Sequence, residues 1–257
     1  MSEPVVLFRP VVVIPVFNHE RHVPALVDVL LGMSLPCILV DDGSASSCAA
    51  ILDQVAAANP SQVTLVRHRE NQGKGGAVLS GIAAADSAGF THALQIDADG
   101  QHTVEDVPRL VALARAHPDA LVTGQPQFDD SVPRMRLYLR YLTHVMVSVN
   151  TLTLSLRDAM CGFRVYPVAA VVALTRQVHM GRRMDFDIEV LVRLDWAGVP
   201  IVLMPTRVRY PLDGISHFRL VADNARITGM HTRLFLGMLL RAPRLLLRRN
   251  RTIRAAA

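Results

Sequence analysis

Through its first half the chain repeats one short cycle: a few apolar residues, a turn rich in Gly, Asp or Ser, then a stretch with helical spacing. The apolar runs are residues 11–16, 37–40, 63–66, 92–96 and 120–123, and the helix-spaced stretches are 22–33, 49–58, 75–88 and 104–116. In the first of these stretches Val23, Leu26, Val27, Leu30 and Leu31 fall on one face. Runs this short, bounded by turn residues, read as strands rather than helices. Strands alternating with helices predict an α/β fold. Its sheet is mostly parallel, its crossovers are right-handed, and helices cover both faces.

Four of these strands end in polar clusters: Pro15-Val16-Phe17-Asn18-His19-Glu20, Asp41-Asp42-Gly43-Ser44, Asn71-Gln72-Gly73-Lys74-Gly75-Gly76, and Asp97-Ala98-Asp99-Gly100-Gln101-His102. A parallel sheet brings such ends to one edge, where open α/β sheets bind ligands. One cluster is weak evidence; four in register predict a binding crevice. At its centre, Asp97 and Asp99 are two hard oxygen donors just beyond a buried strand. They can hold Mg2+ or Mn2+ and, through it, the diphosphate of a nucleotide-sugar. The other use of Asp-x-Asp at such a place is an acidic turn or helix cap.

Each remaining cluster has two uses open to it. Pro15 and Phe17 can wall a flat base, with Asn18 or Glu20 closing it, or the segment is an ordinary turn capped by Asn18. Asp42, an acceptor-only carboxylate, suits the N–H and hydroxyl donors of a base or ribose, or caps an Asp-Gly-Ser turn. The Gly73-Lys74-Gly75-Gly76 segment lacks the spacing of a P-loop. It still sets a cation and free amides at a helix N-terminus, which favours an anion, unless it is a plain glycine turn.

Composition narrows the setting. Hydrophobic residues make up 51% of 257, ample for one large domain. No apolar run reaches the roughly 18 residues that span a bilayer, and the N-terminus lacks a signal-peptide pattern. Three cysteines, Cys37, Cys48 and Cys161, have no metal spacing and predict free thiols in a reducing, cytoplasmic compartment. The net charge is +5, and Lys74 is the only lysine among the 27 basic residues. From Arg226 onward there are eight arginines and no Asp or Glu, a basic tail suited to an anionic surface. No nucleic-acid partner is expected, because no recognition motif is present and aromatics are few.

The second half is less regular. Residues 135–154, 184–197 and 218–240 read as helices, and 162–166, 201–204 and 207–210 as strands. Pro243 is expected to break the last helix before a basic segment, 244–254. Across this tail Leu234-Phe235-Leu236, Met238-Leu239-Leu240 and Leu245-Leu246-Leu247 interleave with Arg233, Arg241, Arg244, Arg248 and Arg249. This pattern either lies on an anionic membrane face or packs on the domain with its basic side in water. Arg164 can fork onto a phosphate or serve a structural ion pair. Asp187 and Glu189 can supply a base for a hydroxyl acceptor, or simply enrich a helix N-terminus in acid.

The strings Ile14-Pro15-Val16-Phe17-Asn18, Val40-Asp41-Asp42-Gly43-Ser44, Asn71-Gln72-Gly73-Lys74-Gly75 and Asp97-Ala98-Asp99-Gly100-Gln101-His102 resemble the family 2 glycosyltransferases. The likeness is to their dolichol-phosphate mannosyltransferase-like group. It continues through Cys161-Gly162-Phe163-Arg164 and, more loosely, Gly214-Ile215-Ser216-His217-Phe218-Arg219. The resemblance implies a GT-A, Rossmann-like fold over 1–220 with a basic amphipathic helical appendage at 221–257. It implies that Pro15, Phe17, Glu20 and Asp42 line the nucleotide pocket. It also implies that Asp97 and Asp99 flank the diphosphate, with Asp99 and Gln101 on the metal. Val16, Asn18, Asp41, Lys74 and Ala98 lie within the same donor-binding strings. Arg164, His217 and Arg219 would serve the acceptor. The implied activity is inverting transfer of a sugar from a UDP- or GDP-sugar to a lipid-linked acceptor, with polyprenyl phosphate foremost. It would occur on the cytoplasmic membrane face, with the enzyme attached peripherally. Two residues depart from the group: His19 delays Glu20 by one place, and His217 stands where Lys or Arg is usual. A neutral imidazole is a poorer phosphate partner. Two other readings stay open: transfer to a hydroxyl with Asp187 or Glu189 as base, and a non-catalytic nucleotide-binding module. The intact Asp97, Asp99 and Gln101 weigh against the second.

Overall fold

The computed structural model describes residues 7–127, 134–156, 158–207, 220–248 and 252–255. The expected alternation is present: β1 (Pro10–Val16), α1 (Val23–Gly32), β2 (Cys37–Asp41), α2 (Ser46–Ala58), β3 (Val63–Arg67), α3 (Lys74–Ser87), β4 (His92–Gln95), α4 (Val107–Ala116) and β5 (Leu121–Gln127). A 3₁₀ turn, Val104–Asp106, leads into α4. The second half follows as α5 (Arg134–Thr151), β6 (Arg164–Pro167), α6 (Val168–Gln177), α7 (Phe186–Ala197), β7 (Ile201–Arg207), α8 (Leu220–Leu247) and β8 (Thr252–Arg254).

The strands form one sheet in the order β3-β2-β1-β4-β6-β5-β7-β8. All neighbours are parallel except β6, which runs antiparallel to both β4 and β5. The fold is therefore the α/β arrangement with a mostly parallel sheet that the sequence predicts. Strand residues alternate between two cores. Val11 and Val13 of β1 join the core under α3, α6, α7 and α8, while Val12, Ile14 and Val16 join the core under α1, α2 and α4. Parallel strands buried on both faces read as continuous apolar runs, which is why 11–16 shows no polar alternation. Helix α3 lies close to the sheet because its inner face is small. A Cβ on Gly81 would stand 2.3 Å from Val13 Cγ1.

Three expectations differ from the structure. Pro243 does not end α8, which continues to Leu247. A proline removes one helical N–H donor, and the carbonyl one turn back loses its partner. Here both Pro243 and Leu239 are exposed, so that carbonyl can turn to water. Beyond Pro243 the helix is held by buried Leu245 and by Arg248, which donates to the Asp195 carboxylate and to Thr151 O. The expected terminal basic segment instead contains β8, which pairs with β7. The two strands expected at 201–204 and 207–210 differ as well. A single strand runs from Ile201 through Arg207, and 208–210 lie outside the described residues. Helix α8 also packs inward, with Met230, Leu234, Met238 and Leu245 in the core shared with α3 and α7. Among the described residues, no helix is long and apolar enough to cross a membrane.

Candidate active site

Register brings the polar strand ends together. Val16 of β1 is level with Asp41 of β2, Asp41 with Arg67 of β3, and Val13 of β1 with Gln95 of β4. The loops after β1 and β2 are stitched by Asn18, in a left-handed conformation with φ of 57°. Its backbone N–H donates to Ser44 Oγ at 3.1 Å, and its Oδ1 accepts from Ala45 N at 2.8 Å. Pro15, Phe17 and Glu20 are partly buried on this segment, and Val16 is buried. Asp41 is 1% exposed and accepts from Ser44 N at 2.9 Å and Arg67 Nε at 2.8 Å.

Asp42 organises the glycine-rich turn. Its Oδ1 accepts from Gln72 N and its Oδ2 from Gly73 N, both at 2.8 Å. His68 Nδ1 lies 2.8 Å from Oδ1, and His68 Nε2 lies 2.9 Å from Ser80 Oγ. Gly73 needs its freedom: φ is +92°, and a Cβ would stand 2.7 Å from Arg182 O. This turn sets Lys74 as the first residue of α3.

Lys74 then reaches the centre. Its Nζ lies 2.7 Å from Asp97 Oδ2 and 2.9 Å from Asp187 Oδ2. Gln95, fully buried, donates through Nε2 to Asp187 Oδ1 at 3.2 Å and accepts from Tyr166 Oη at 2.9 Å. His102 Nε2 is 3.5 Å from Asp97 Oδ2, and its ring stacks on Phe163 at 5.1 Å. Asp99 Oδ1 accepts from Gln101 N at 3.0 Å, which curls the loop around buried Ala98. Gly162 closes one wall, since a Cβ there would lie 2.5 Å from Lys74 Nζ and 2.7 Å from Asp97 Oδ2.

The electrostatics follow from this packing. Burial alone would lower the Lys74 pKa, but Asp187 and Asp97 outweigh it and the ammonium is held above its ordinary range. Burial alone would raise Asp97, but Lys74 and then His102 reverse this, so its carboxyl stays well below the usual range. Asp99 is shifted upward, first by burial and then by the charge of Asp97. A second negative charge beside Asp97 is therefore unfavourable until a cation is present.

Among the described residues no group of three or more His, Cys, Asp or Glu side chains is arranged to hold a metal unaided. The cluster nevertheless suits a cation that keeps few protein ligands. Asp97 Oδ1 is buried without a hydrogen-bond partner, and Asp99 stands beside it. Mg2+ is typically bound by one or two carboxylates plus phosphates and water.

The structure seats the other expected residues differently. Arg164 is 0% exposed, so it does not face a phosphate. It donates through Nη1 to Asp187 O at 2.6 Å, through Nη2 to Ala159 O at 2.7 Å and through Nε to Thr123 Oγ1 at 3.2 Å. It thereby fixes α7 against the sheet and aims Asp187. Glu189 is 0% exposed and stands apart from the cluster, accepting from Gly181 N at 2.7 Å and Arg193 Nη2 at 2.7 Å. His217 and Arg219 lie outside the described residues. The three cysteines are buried free thiols, and burial pushes Cys37 and Cys161 up to about 12, the second helped by the charge of Asp158. Gln95, Tyr166 and His68 were not expected. The one sequence signal was Gln95 itself, an amide inside an apolar run two residues before Asp97.

A mostly parallel sheet with four convergent loops and two carboxylates after β4 is an α/β arrangement of GT-A type. The profile described as Glycosyl transferase family 2 matches residues 11–172, more than half the chain, so the chain belongs to that family. It is 26% identical to the dolichyl-phosphate beta-glucosyltransferase of Dictyostelium discoideum over 74% of this chain, and spans 63% of that protein's length. It is 25% identical to the polyprenol monophosphomannose synthase of Mycolicibacterium smegmatis, covering 77% of this chain and 76% of that one. In structure it is similar to the mannosyltransferase PcManGT of Pyrobaculum calidifontis, solved with GDP-Man and Mn2+. That match has a TM-score of 0.57 and 16% identity, covering 96% of this chain and 72% of that one. At such identity the likeness speaks for the fold.

Proposed function

We propose that the chain transfers a sugar from a nucleoside-diphosphate sugar to a polyprenyl-phosphate acceptor at a membrane surface, with inversion and with Mg2+ or Mn2+. The observation that carries this reading is the partly buried cluster of Asp97, Lys74 and Asp187 beside Asp99, at the edge of a family 2 fold where ligands are expected. The names of the relatives from Dictyostelium and Mycolicibacterium support the lipid-phosphate acceptor, and the fold shared with PcManGT, solved with GDP-Man and Mn2+, is one that accommodates a nucleotide-sugar and a cation.

Asp97 and Asp99 would hold the cation, with Gln101 at the rim. Bound there, it neutralises the charge that builds on the departing diphosphate. Lys74 would face the same anion. Pro15, Phe17, Glu20 and Asp42 serve the nucleoside, and the loops stitched by Asn18 hold them in place. His217 and Arg219 serve the acceptor phosphate.

The acceptor class follows from Asp187. Its two carboxylate oxygens meet Lys74 and Gln95, so before ligands bind it has no free oxygen to take a hydroxyl proton. An acceptor that arrives as an anion needs no strong base, which favours a phosphate oxygen over a hydroxyl. The oxygen attacks the anomeric carbon opposite the leaving diphosphate in a single displacement. The surface suits such an acceptor. Tyr138, Tyr141, Leu142, Val145 and Val149 form an exposed stripe at helical spacing on α5, and exposed Leu152 follows just beyond its end. A groove of about 390 Å3 along that helix is lined by Tyr141, His144, Val145, Ser148 and Leu152, among others. Helix α8 packs against α5 and exposes Leu236, Leu239, Leu240, Arg233, Arg241 and Arg244. Apolar side chains among arginines fit an anionic lipid face, and we assign that face to the cytoplasmic side.

The test is a thermal-shift screen of UDP-, GDP- and dTDP-sugars with Mn2+, followed by transfer of the labelled sugar. Polyprenyl phosphate and the corresponding free alcohol are compared as acceptors. One nucleotide class should stabilise the protein, and label should pass to the phosphate. Transfer to the alcohol alone would favour the hydroxyl-acceptor reading, and no stabilisation by any nucleotide would refute the proposal.

A further inference from the structure

The cluster pairs an ammonium with a carboxylate that a cation also needs. Lys74 Nζ occupies Asp97 Oδ2 at 2.7 Å, while Asp97 Oδ1 is buried and unpartnered. The same lysine holds Asp187 Oδ2 at 2.9 Å. It is the only lysine in the chain, and it stands at the first position of α3. Its side chain is 17% exposed, so a path to solvent remains open. On another side, Gly162 leaves no room for retreat: the site of its missing Cβ is 2.5 Å from Nζ.

We propose that Lys74 is a movable counter-ion, neutralising Asp97 and Asp187 before the cation binds and passing to the diphosphate when cation and nucleotide arrive together. This rests on reading the site as a cation–diphosphate pocket. A divalent cation on Asp97 and Asp99 repels the nearby ammonium strongly in a partly dry site. The diphosphate supplies the charge the lysine can move to, and Asp187 keeps one of its original partners in reach. Cation and nucleotide then bind with mutual reinforcement, because neither alone both displaces the lysine and gives it a new anion.

The measurement is Mn2+ binding, read as loss of the free aquo-ion signal in electron paramagnetic resonance. It is made with and without UDP or GDP, whichever stabilises the protein more. Wild-type protein should bind Mn2+ about tenfold more tightly with nucleotide present, within the usual range of coupled sites. Lys74→Met should bind Mn2+ alone about tenfold more tightly, since a neighbouring positive charge is gone. The same variant should bind the nucleotide more weakly, and the reinforcement should shrink. Asp187→Asn should move Mn2+ affinity the other way, because the lysine then rests on Asp97 alone. If Lys74 is only a packing element, both substitutions loosen the site and shift Mn2+ affinity in the same direction, which overturns the proposal. Should Lys74→Met fail to fold, Lys74→Gln, which removes the charge but keeps a polar chain, takes its place: tighter binding of Mn2+ alone supports the proposal, and unchanged or weaker binding overturns it. Equal Mn2+ affinity with and without nucleotide in the wild type also overturns it. Sugar transfer by the wild type reports separately on the function itself.

Discussion

At the scale of single residues, the site is a set of polar groups whose partners decide their roles. Asp97 and Asp187 share one lysine, and only Asp97 keeps an oxygen without a partner. Under the proposed function, that asymmetry would make Asp97 the ligand and Asp187 the anchor. Arg164 shows the same logic from the other side. With three donors on Thr123, Ala159 and Asp187 and no exposure, it positions rather than binds. Arg164→Met should therefore lower stability by about 2–4 kcal/mol, because buried acceptors are left unsatisfied. Denaturant unfolding measures this. Unchanged stability with a raised KM for the acceptor phosphate would return Arg164 to the phosphate. That Lys74, Asp97 and Asp99 come together was legible in the sequence, because their strings follow strands of one mostly parallel sheet. Gln95 and Tyr166 were not, because their contact is a diagonal across β4 and β6, strands far apart in sequence.

At the scale of elements, the β/α alternation was readable through β5 because each unit buries its own apolar stripe. The insertion of antiparallel β6 between β4 and β5 was not, since pairing order leaves no local trace. Nor was the course of α8 through Pro243. Packing against α5 and α7, and the Arg248 clamp, override a local breaker there. These three helices meet at Asn150. Trp196 Nε1 donates to Asn150 O at 2.9 Å, and Asn150 Nδ2 lies 3.1 Å from His231 Nδ1. Burial lowers the His231 pKa to about 4. An unfolded histidine titrates near 6.5, so between those values the unfolded chain binds a proton the folded chain refuses. Stability is full above the unfolded pKa and falls as pH drops toward the folded one. The melting temperature should fall between pH 7 and pH 5, and His231→Leu should flatten that slope. Equal slopes in both proteins would show that the junction does not sense pH through this ring.

At the scale of the whole molecule, one sheet edge carries the polar chemistry, and α5 with α8 carries an exposed apolar and basic surface. The proposed function requires both, because a lipid-linked acceptor is presented at a bilayer. Vesicles containing anionic lipid should retain the protein in co-sedimentation, and Leu236→Asp with Leu240→Asp should release it. Higher salt should weaken retention on the arginine side. Equal binding by the double variant would remove the α8 surface from the account. The central claim is that the carboxylates after β4 hold a cation which draws charge from a leaving nucleotide. The most direct measurement is sugar-transfer rate for wild type and Asp99→Ala across a Mn2+ titration, with far-ultraviolet circular dichroism on the same samples. The account predicts rates that rise with Mn2+ in the wild type and vanish with EDTA. It predicts a loss of at least about 100-fold in Asp99→Ala with an unchanged fold, the order expected when a group stabilising transition-state charge is removed. Full transfer by Asp99→Ala, or by the wild type in EDTA, would contradict it.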